Sequence, residues 1–301
     1  MRASMRWLAF GFTLAAGTCL GDCGSIPFKP YASVFEPNQR ALIAWNGDEE
    51  ILLLTTDLRA SEPTKVLEVI PFPSEPKVKK GDWAVFSKAT DLINRKLFPG
   101  DRMAYLRVRP GGVGAGGALP PPAGEVTFQR KLGAHDISVT RVVDQRRFVE
   151  WVEEYLKKAG VDNPAIPDVM KASVKEYLAD EFGWFVFDVV ELGRETFSKE
   201  AVQYRFRTDF LYYPLRISRT GKGDTSVRLL ILSPRLVRLP EPRGPQIRLV
   251  HTPVEVSKGE VGSLDKNLES LFEKTPQQNL LLRIWEIQGA LSSFSEDVNT
   301  R

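Results

Sequence analysis

The chain has 301 residues, 43% of them hydrophobic and 26% charged, values of an ordinary globular protein that exclude collagen-like, coiled-coil and wholly disordered classes. The formal net charge is +3, and once Arg2 and Arg6 are set aside the remaining 39 basic side chains face 38 acidic ones, so bulk charge gives no footprint for nucleic acid. Two cysteines and two histidines supply neither a disulfide framework nor a His/Cys zinc set, and no metal or cofactor is expected.

Met1 to Arg6 carries Arg2 and Arg6, and Trp7 to Leu20 is uncharged. Small residues Ala15, Ala16, Gly17 and Gly21 follow at cleavable positions. That order predicts a secretory signal over residues 1–21 and an exported chain, periplasmic or extracellular. The apolar run is shorter than the ~20 residues of a comfortable membrane span. Cleavage near Gly21 leaves Cys23 as the single cysteine, open to three fates: a free thiol, an intermolecular bridge or a lipid anchor. Later in the chain, Leu280-Leu281-Leu282 is interrupted by Arg283 and Glu286, so no transmembrane helix is expected in the mature protein.

Residues 22–98 read as a β-hairpin plus helix subdomain. Arg40 to Trp45 and Glu50 to Thr56 are β-prone runs joined through Asn46-Gly47, the dipeptide that best fits a two-residue type I′ turn. Glu68 to Ile70 forms a further strand that Pro71 and Pro73 are expected to end. Asp82 precedes Trp83, Phe86, Ala89, Leu92, Ile93 and Leu97, a helical spacing with a capping residue. The Gly- and Pro-rich stretch 99–124 is a loop and the expected subdomain boundary.

Residues 125–301 read as the main domain. A strand from Asp136 to Val143 leads to a helix whose Phe148, Trp151, Val152, Tyr155 and Leu156 form one apolar stripe. Pro167 opens a second helix. Strands follow over 184–190, 203–207, 213–219, 226–232 and 246–250; Ser263 caps a short helix, and 280–287 reads as a last strand, with a helix as the other possibility. The fold class expected is α+β, a largely antiparallel sheet with helices packed on one face, as one large domain or two subdomains.

Catalytic motifs are weak. Gly112 to Gly117 spells G-x-G-x-x-G, but Pro110 precedes it and Pro120-Pro121-Pro122 follow, so no helix N-terminus can meet a pyrophosphate there. Gly221-Lys222 lacks the rest of a phosphate-binding loop. His135-Asp136 would be an acid–base couple, except that neighbours on a strand point to opposite faces. No G-x-S-x-G elbow exists. The informative stretch is 204–248, where ten basic residues face only Asp209, Asp224 and Glu241. Arg205, Arg207, Arg216, Arg219 and Arg228 are the candidate face for an anionic partner, through alternation on neighbouring strands. The competing reading pairs those charges with Asp188, Glu191, Glu195 and Glu200.

The Cys23-Gly24 start, the segment Gln39 to Gly47 with Glu49-Glu50, Val69-Ile70-Pro71-Phe72-Pro73, Phe148-x-x-Trp151 and Tyr213-Pro214-Leu215-Arg216-Ile217 together resemble a family of exported bacterial proteins known as domain of unknown function 2330. The resemblance implies export and carries over no catalytic residue. The function expected is a non-catalytic binding or structural module facing the cell envelope, with anionic lipid or polymer as partner. The alternative is a carboxylate-dependent hydrolase acting on envelope material.

Overall fold

The computed structural model describes residues 24–98, 124–239 and 244–300, apart from positions 30, 162, 163, 165, 199 and 222. The expected signal, Cys23, the Gly/Pro-rich stretch 99–123 with its G-x-G-x-x-G, Lys222 and Arg243 lie outside the described residues.

The Asn46-Gly47 hairpin joins β2 (Val34–Trp45) to β3 (Glu49–Ala60), preceded by the short β1 (Gly24–Pro27). Its connection is three residues rather than two. Gly47 alone takes positive φ, at 112°, while Asn46 Oδ1 accepts the amide protons of Asp48 and Glu49 at 2.9 and 2.8 Å. The side chain closes the turn that a type I′ backbone would otherwise have to close. Then come β4 (Thr64–Phe72), β5 (Lys77–Lys80) and α1 (Ala84–Leu97). Pro71 lies inside β4, past Val69, the last residue that β1 pairs, so that side of the strand has no ladder for it to interrupt.

Past the undescribed stretch are β6 (Gly124–Leu132), β7 (His135–Val142), α2 (Phe148–Lys158), α3 (Asp168–Ala179) and β8 (Trp184–Leu192). Next come β9 (Phe197–Ser198), β10 (Val202–Arg207), β11 (Tyr212–Tyr213), β12 (Asp224–Ser233), β13 (Gln246–Leu249) and β14 (Val254–Ser257). The chain finishes with α4 (Lys258–Leu264), α5 (Lys266–Leu271), β15 (Asn279–Ala290) and β16 (Val298–Asn299).

Five strands form an antiparallel sheet in the order β1-β4-β8-β7-β6. A mixed sheet runs β13-β15-β12-β2-β3-β10-β5, with β14 also on β15 and β9 on β3. Its one parallel contact joins β2 to β12, Arg40 beside Arg228 and Ile43 beside Ile231. Strands from 22–98 and from 125–301 share both sheets.

The central strands of the larger sheet are apolar on both faces. Leu42, Ala44, Ile51 and Leu53 pack with α1, α4 and α5, whereas Ala41, Ile43, Leu52 and Leu54 join the core that includes Val69, Val186 and Phe187 of the smaller sheet. The smaller sheet is covered in turn by α2, with Phe148 5.1 Å from Phe185 and Trp151 6.0 Å from Phe187 between ring centroids. The single helical face expected from sequence is therefore two, because a sheet apolar on both sides needs cover on both.

Two local expectations change for identifiable reasons. Residues 213–219 were expected as a strand. They give only the two residues of β11 and then a 3-10 turn, Arg216–Thr220. Pro214 removes one amide donor, and the amides of Arg216 and Ile217 bond to Asp297 Oδ1 and the Tyr177 hydroxyl at 2.8 and 3.1 Å. Ser263, expected to cap the helix bearing Leu268 and Leu271, lies inside α4. That helix is α5, capped by Asp265, whose Oδ1 accepts from the Asn267 amide at 2.5 Å, while α4 starts at Ser257, whose hydroxyl and the Glu260 carboxylate make a reciprocal capping box.

Candidate functional site

On the helix-bearing face of the larger sheet, α1, α4 and α5 cover the rows built on Leu42, Leu230 and Ile284. Two residues along each strand the cover ends, and the next cross-strand row reads Arg248, Glu286, Arg228, Arg40 over β13, β15, β12 and β2. At ~4.8 Å between strands, the row spans about 14 Å. The row beyond it, Gln246, Gln288, Ser226 and Asn38, is polar and uncharged.

Glu286 accepts from Arg228 Nη2 at 2.8 Å and from Arg248 Nη2 at 2.5 Å. Those hydrogen bonds, the Arg228 one first, hold its carboxyl below the usual range against the opposing effect of burial. Arg40 places its guanidinium 5.0 Å from the ring centre of the exposed Trp83, and 3.5 Å from each oxygen of Asp57. The Arg228 and Arg248 side chains are 53% and 70% exposed. A guanidinium carries five N–H donors, so the two carboxylates leave most of them facing solvent. Forked donors beside an indole ring suit phosphate or carboxylate groups.

The five arginines singled out from sequence do not share one face. Arg228 stands in this row. Arg205 and Arg207 are on the same face but on β10, separated from β12 by β2 and β3. Arg205 Nη2 donates to Glu49 Oε2 at 2.6 Å, a hydrogen bond that lowers the Glu49 pKa, and its Nη1 donates to Ser270 at 3.2 Å. Arg207 is exposed. Arg216 and Arg219 leave the sheets for the 3-10 turn and meet α3. Arg216 lies 4.1 Å over the Tyr177 ring and 2.7 Å from Asp180 Oδ2. Arg219 pairs with Glu176 at 2.5 Å. The acids that answer these charges are Glu49, Glu176, Asp180, Asp297 and Glu286. Of those expected from sequence, Asp188 serves His135, Glu191 pairs with Lys65 and Glu200 with Lys80.

Arg40 was missed because its place in the row depends on the parallel β2–β12 contact, which joins segments some 190 residues apart. Arg248 was counted in the basic stretch, but only the β13–β15 register sets it beside Glu286.

His135 is coupled to Asp188, not to its neighbour Asp136. Its Nδ1 lies 2.5 Å from Asp188 Oδ2, and its Nε2 lies 3.0 Å from the Glu200 carbonyl oxygen. Glu68 stands directly across from Asp188 in the β4–β8 register, and all three side chains are buried. A second buried acid, Glu50, accepts from the Tyr212 amide at 2.8 Å, and burial drives its pKa well above the usual carboxylate value. At the hairpin end of the larger sheet, a concavity of about 340 Å³ is lined by Trp45, Asp48, Arg235 and Lys274, among others. Among the described residues no three His, Cys, Asp or Glu side chains are grouped to hold a metal ion, and no helix is long and apolar enough to cross a membrane.

A family model described as "Uncharacterized protein conserved in bacteria (DUF2330)" matches residues 16–298. No curated protein matches. Among solved structures, the crystal structure of baculovirus P35 is similar at 10% identity and a TM-score of 0.42, over 91% of this chain and 98% of that one. A mutated baculovirus P35 after caspase cleavage is similar at 11% identity and a TM-score of 0.39, over 88% and 98%.

Proposed function

For a chain that belongs to the DUF2330 family of uncharacterised bacterial proteins, we propose an exported, non-catalytic module that binds an anionic surface of the cell envelope, lipid or polymer. The observation that carries this reading is the row Arg248, Glu286, Arg228, Arg40 with Trp83 beside it, open where the helices stop. Three guanidinium groups in line engage phosphates or carboxylates along a surface without shaping a pocket around one substrate. The signal-like opening of the sequence brings the chain to such a surface.

The alternative, a carboxylate-dependent hydrolase, draws on Glu68, Asp188 and His135. These sit in the buried layer between the sheets, and a substrate has to part the sheets to reach them. The concavity at the hairpin end of the larger sheet carries Asp48 as its one carboxylate, beside two cations.

Co-sedimentation of the protein with vesicles of phosphatidylglycerol and phosphatidylcholine tests the proposal. Retention is expected at low salt, with strong loss at 0.5 M salt, where charges are screened within about 4 Å. R228E combined with R248E is expected to abolish retention without unfolding the protein, because both side chains are exposed. Equal retention at low and high salt, or by the double variant, defeats the reading.

A further inference from the structure

Arg283 on β15 is 3% exposed, on the face opposite the basic row. Its Nη1 donates to the Val237 carbonyl at 2.7 Å. Its Nε and Nη2 are buried without a partner, and no described carboxylate pairs with it. Burial alone pulls its pKa below the usual arginine value. A guanidinium taken out of water with one carbonyl for company is strongly unfavourable, and structures normally answer such a charge with an anion.

The unanswered groups cluster. Trp285, two residues along and on the same face, has its indole N–H buried without a partner. It stands between Leu229 of β12 and Leu249 of β13. Pairing along this edge of β15 is broken here: β13 ends opposite Trp285, and β14 begins opposite Leu282. The chain between them holds on through Val250, whose amide donates to the Ile284 carbonyl at 2.9 Å. His251 follows, with Nε2 also buried and unpartnered. Three residues with orphaned polar atoms thus meet one break in one strand pair.

The same break gathers exposed apolar side chains. Leu249 lies opposite Trp285 on the same face, and Leu236 adjoins Val237, the residue that receives Arg283. Both are exposed. An inorganic ion has no use for them, whereas an aliphatic chain does.

We infer that Arg283 and Trp285 floor a binding site for a single oxyanion, carboxylate or phosphate, borne on an aliphatic chain that lies along Leu236 and Leu249. The guanidinium fork and the indole N–H receive the oxyanion, and the exposed apolar residues take the chain. The inference rests on the orphaned donors of β15 and stands apart from the basic row on the other face.

Titration of the full chain with octanoate, octyl phosphate, inorganic phosphate and octanol at constant ionic strength tests it, read by melting temperature and tryptophan fluorescence. Either octyl anion is expected to raise the melting temperature saturably, and the tighter of the two identifies the headgroup. R283M is expected to weaken that binding at least 100-fold and to melt no lower than wild type when unliganded. L249S, at an exposed position that leaves the fold intact, is expected to weaken octyl phosphate about tenfold and leave inorganic phosphate unchanged. Octanol acting as strongly as the octyl anions, or R283M binding as wild type, overturns the site. Inorganic phosphate binding as tightly as octyl phosphate, or L249S without effect, removes the aliphatic half of it.

Discussion

Arg216 and Arg283 are both arginines held largely out of water, and their surroundings differ in kind. Arg216 has Asp180 at 2.7 Å, Asp297 at 3.6 Å and Glu176 at 3.9 Å, with the Tyr177 ring beneath it. Burial lowers its pKa, and the Asp297 charge and its other partners more than reverse that. Arg283 has one carbonyl. The first cation is spent inside the molecule, tying α3, the 3-10 turn and the C-terminal segment into one corner. The second is left with binding capacity. Counting basic residues along the sequence cannot separate such cases, since the difference lies entirely in which acids the fold brings near.

The sharpest way to break this comparison is to remove each cation. R216M leaves Asp297 and Asp180 without their counter-ion and is expected to cost about 3–5 kcal/mol in denaturant unfolding, whereas R283M is expected to be neutral or stabilising. Equal losses would mean that both arginines are structural. The next largest effect concerns Asp297, whose pKa burial raises to about 6 against the opposing pull of Arg216. The folded protein holds this proton more tightly than the unfolded chain does. The stability it contributes is therefore complete below about pH 4 and lost as pH rises through about 6, by roughly 3 kcal/mol. D297N is expected to flatten that dependence, and a slope unchanged between pH 4 and 6.5 would remove Asp297 as its source.

Tyr177 donates to Asp297 Oδ1 at 2.6 Å and accepts from the Ile217 amide at 3.1 Å. Y177F strands both partners in a buried corner and is expected to cost about 1–3 kcal/mol, with no effect on octyl anion binding. The smallest effect belongs to E286Q. It loosens two ion pairs whose arginines are exposed, is expected to cost less than about 1 kcal/mol, and should strengthen vesicle retention by releasing Arg228 and Arg248. Weaker retention in E286Q would place the binding surface elsewhere.

Much of the fold was legible where the signal was local. The apolar stripe of α2, the Asn46-Gly47 hairpin and the β-rich runs appear where composition and period put them. Errors arose where distant groups overrode local preference. Asp297 and Tyr177, more than 35 residues from the turn, take the amides that a strand at Arg216 and Ile217 would have used. Ser257 to Glu260 carried a capping-box spacing that could have been read but was not. The sites were least legible. Arg228 was picked out for its neighbours in sequence, yet its row is assembled from Arg40, Glu286 and Arg248 by strand register. Nothing in the sequence marks Arg283 as lacking an acid.

The parallel seating of β2 on β12 also constrains how the chain acquires its shape. A strand finished by residue 45 waits for one that starts at 224, and that strand is in turn flanked by one ending at 290. Pairings this remote close late and slowly. A polypeptide made from its N-terminus onward thus stays pliable for most of its synthesis, which suits a chain proposed to be threaded through a membrane pore before it sets.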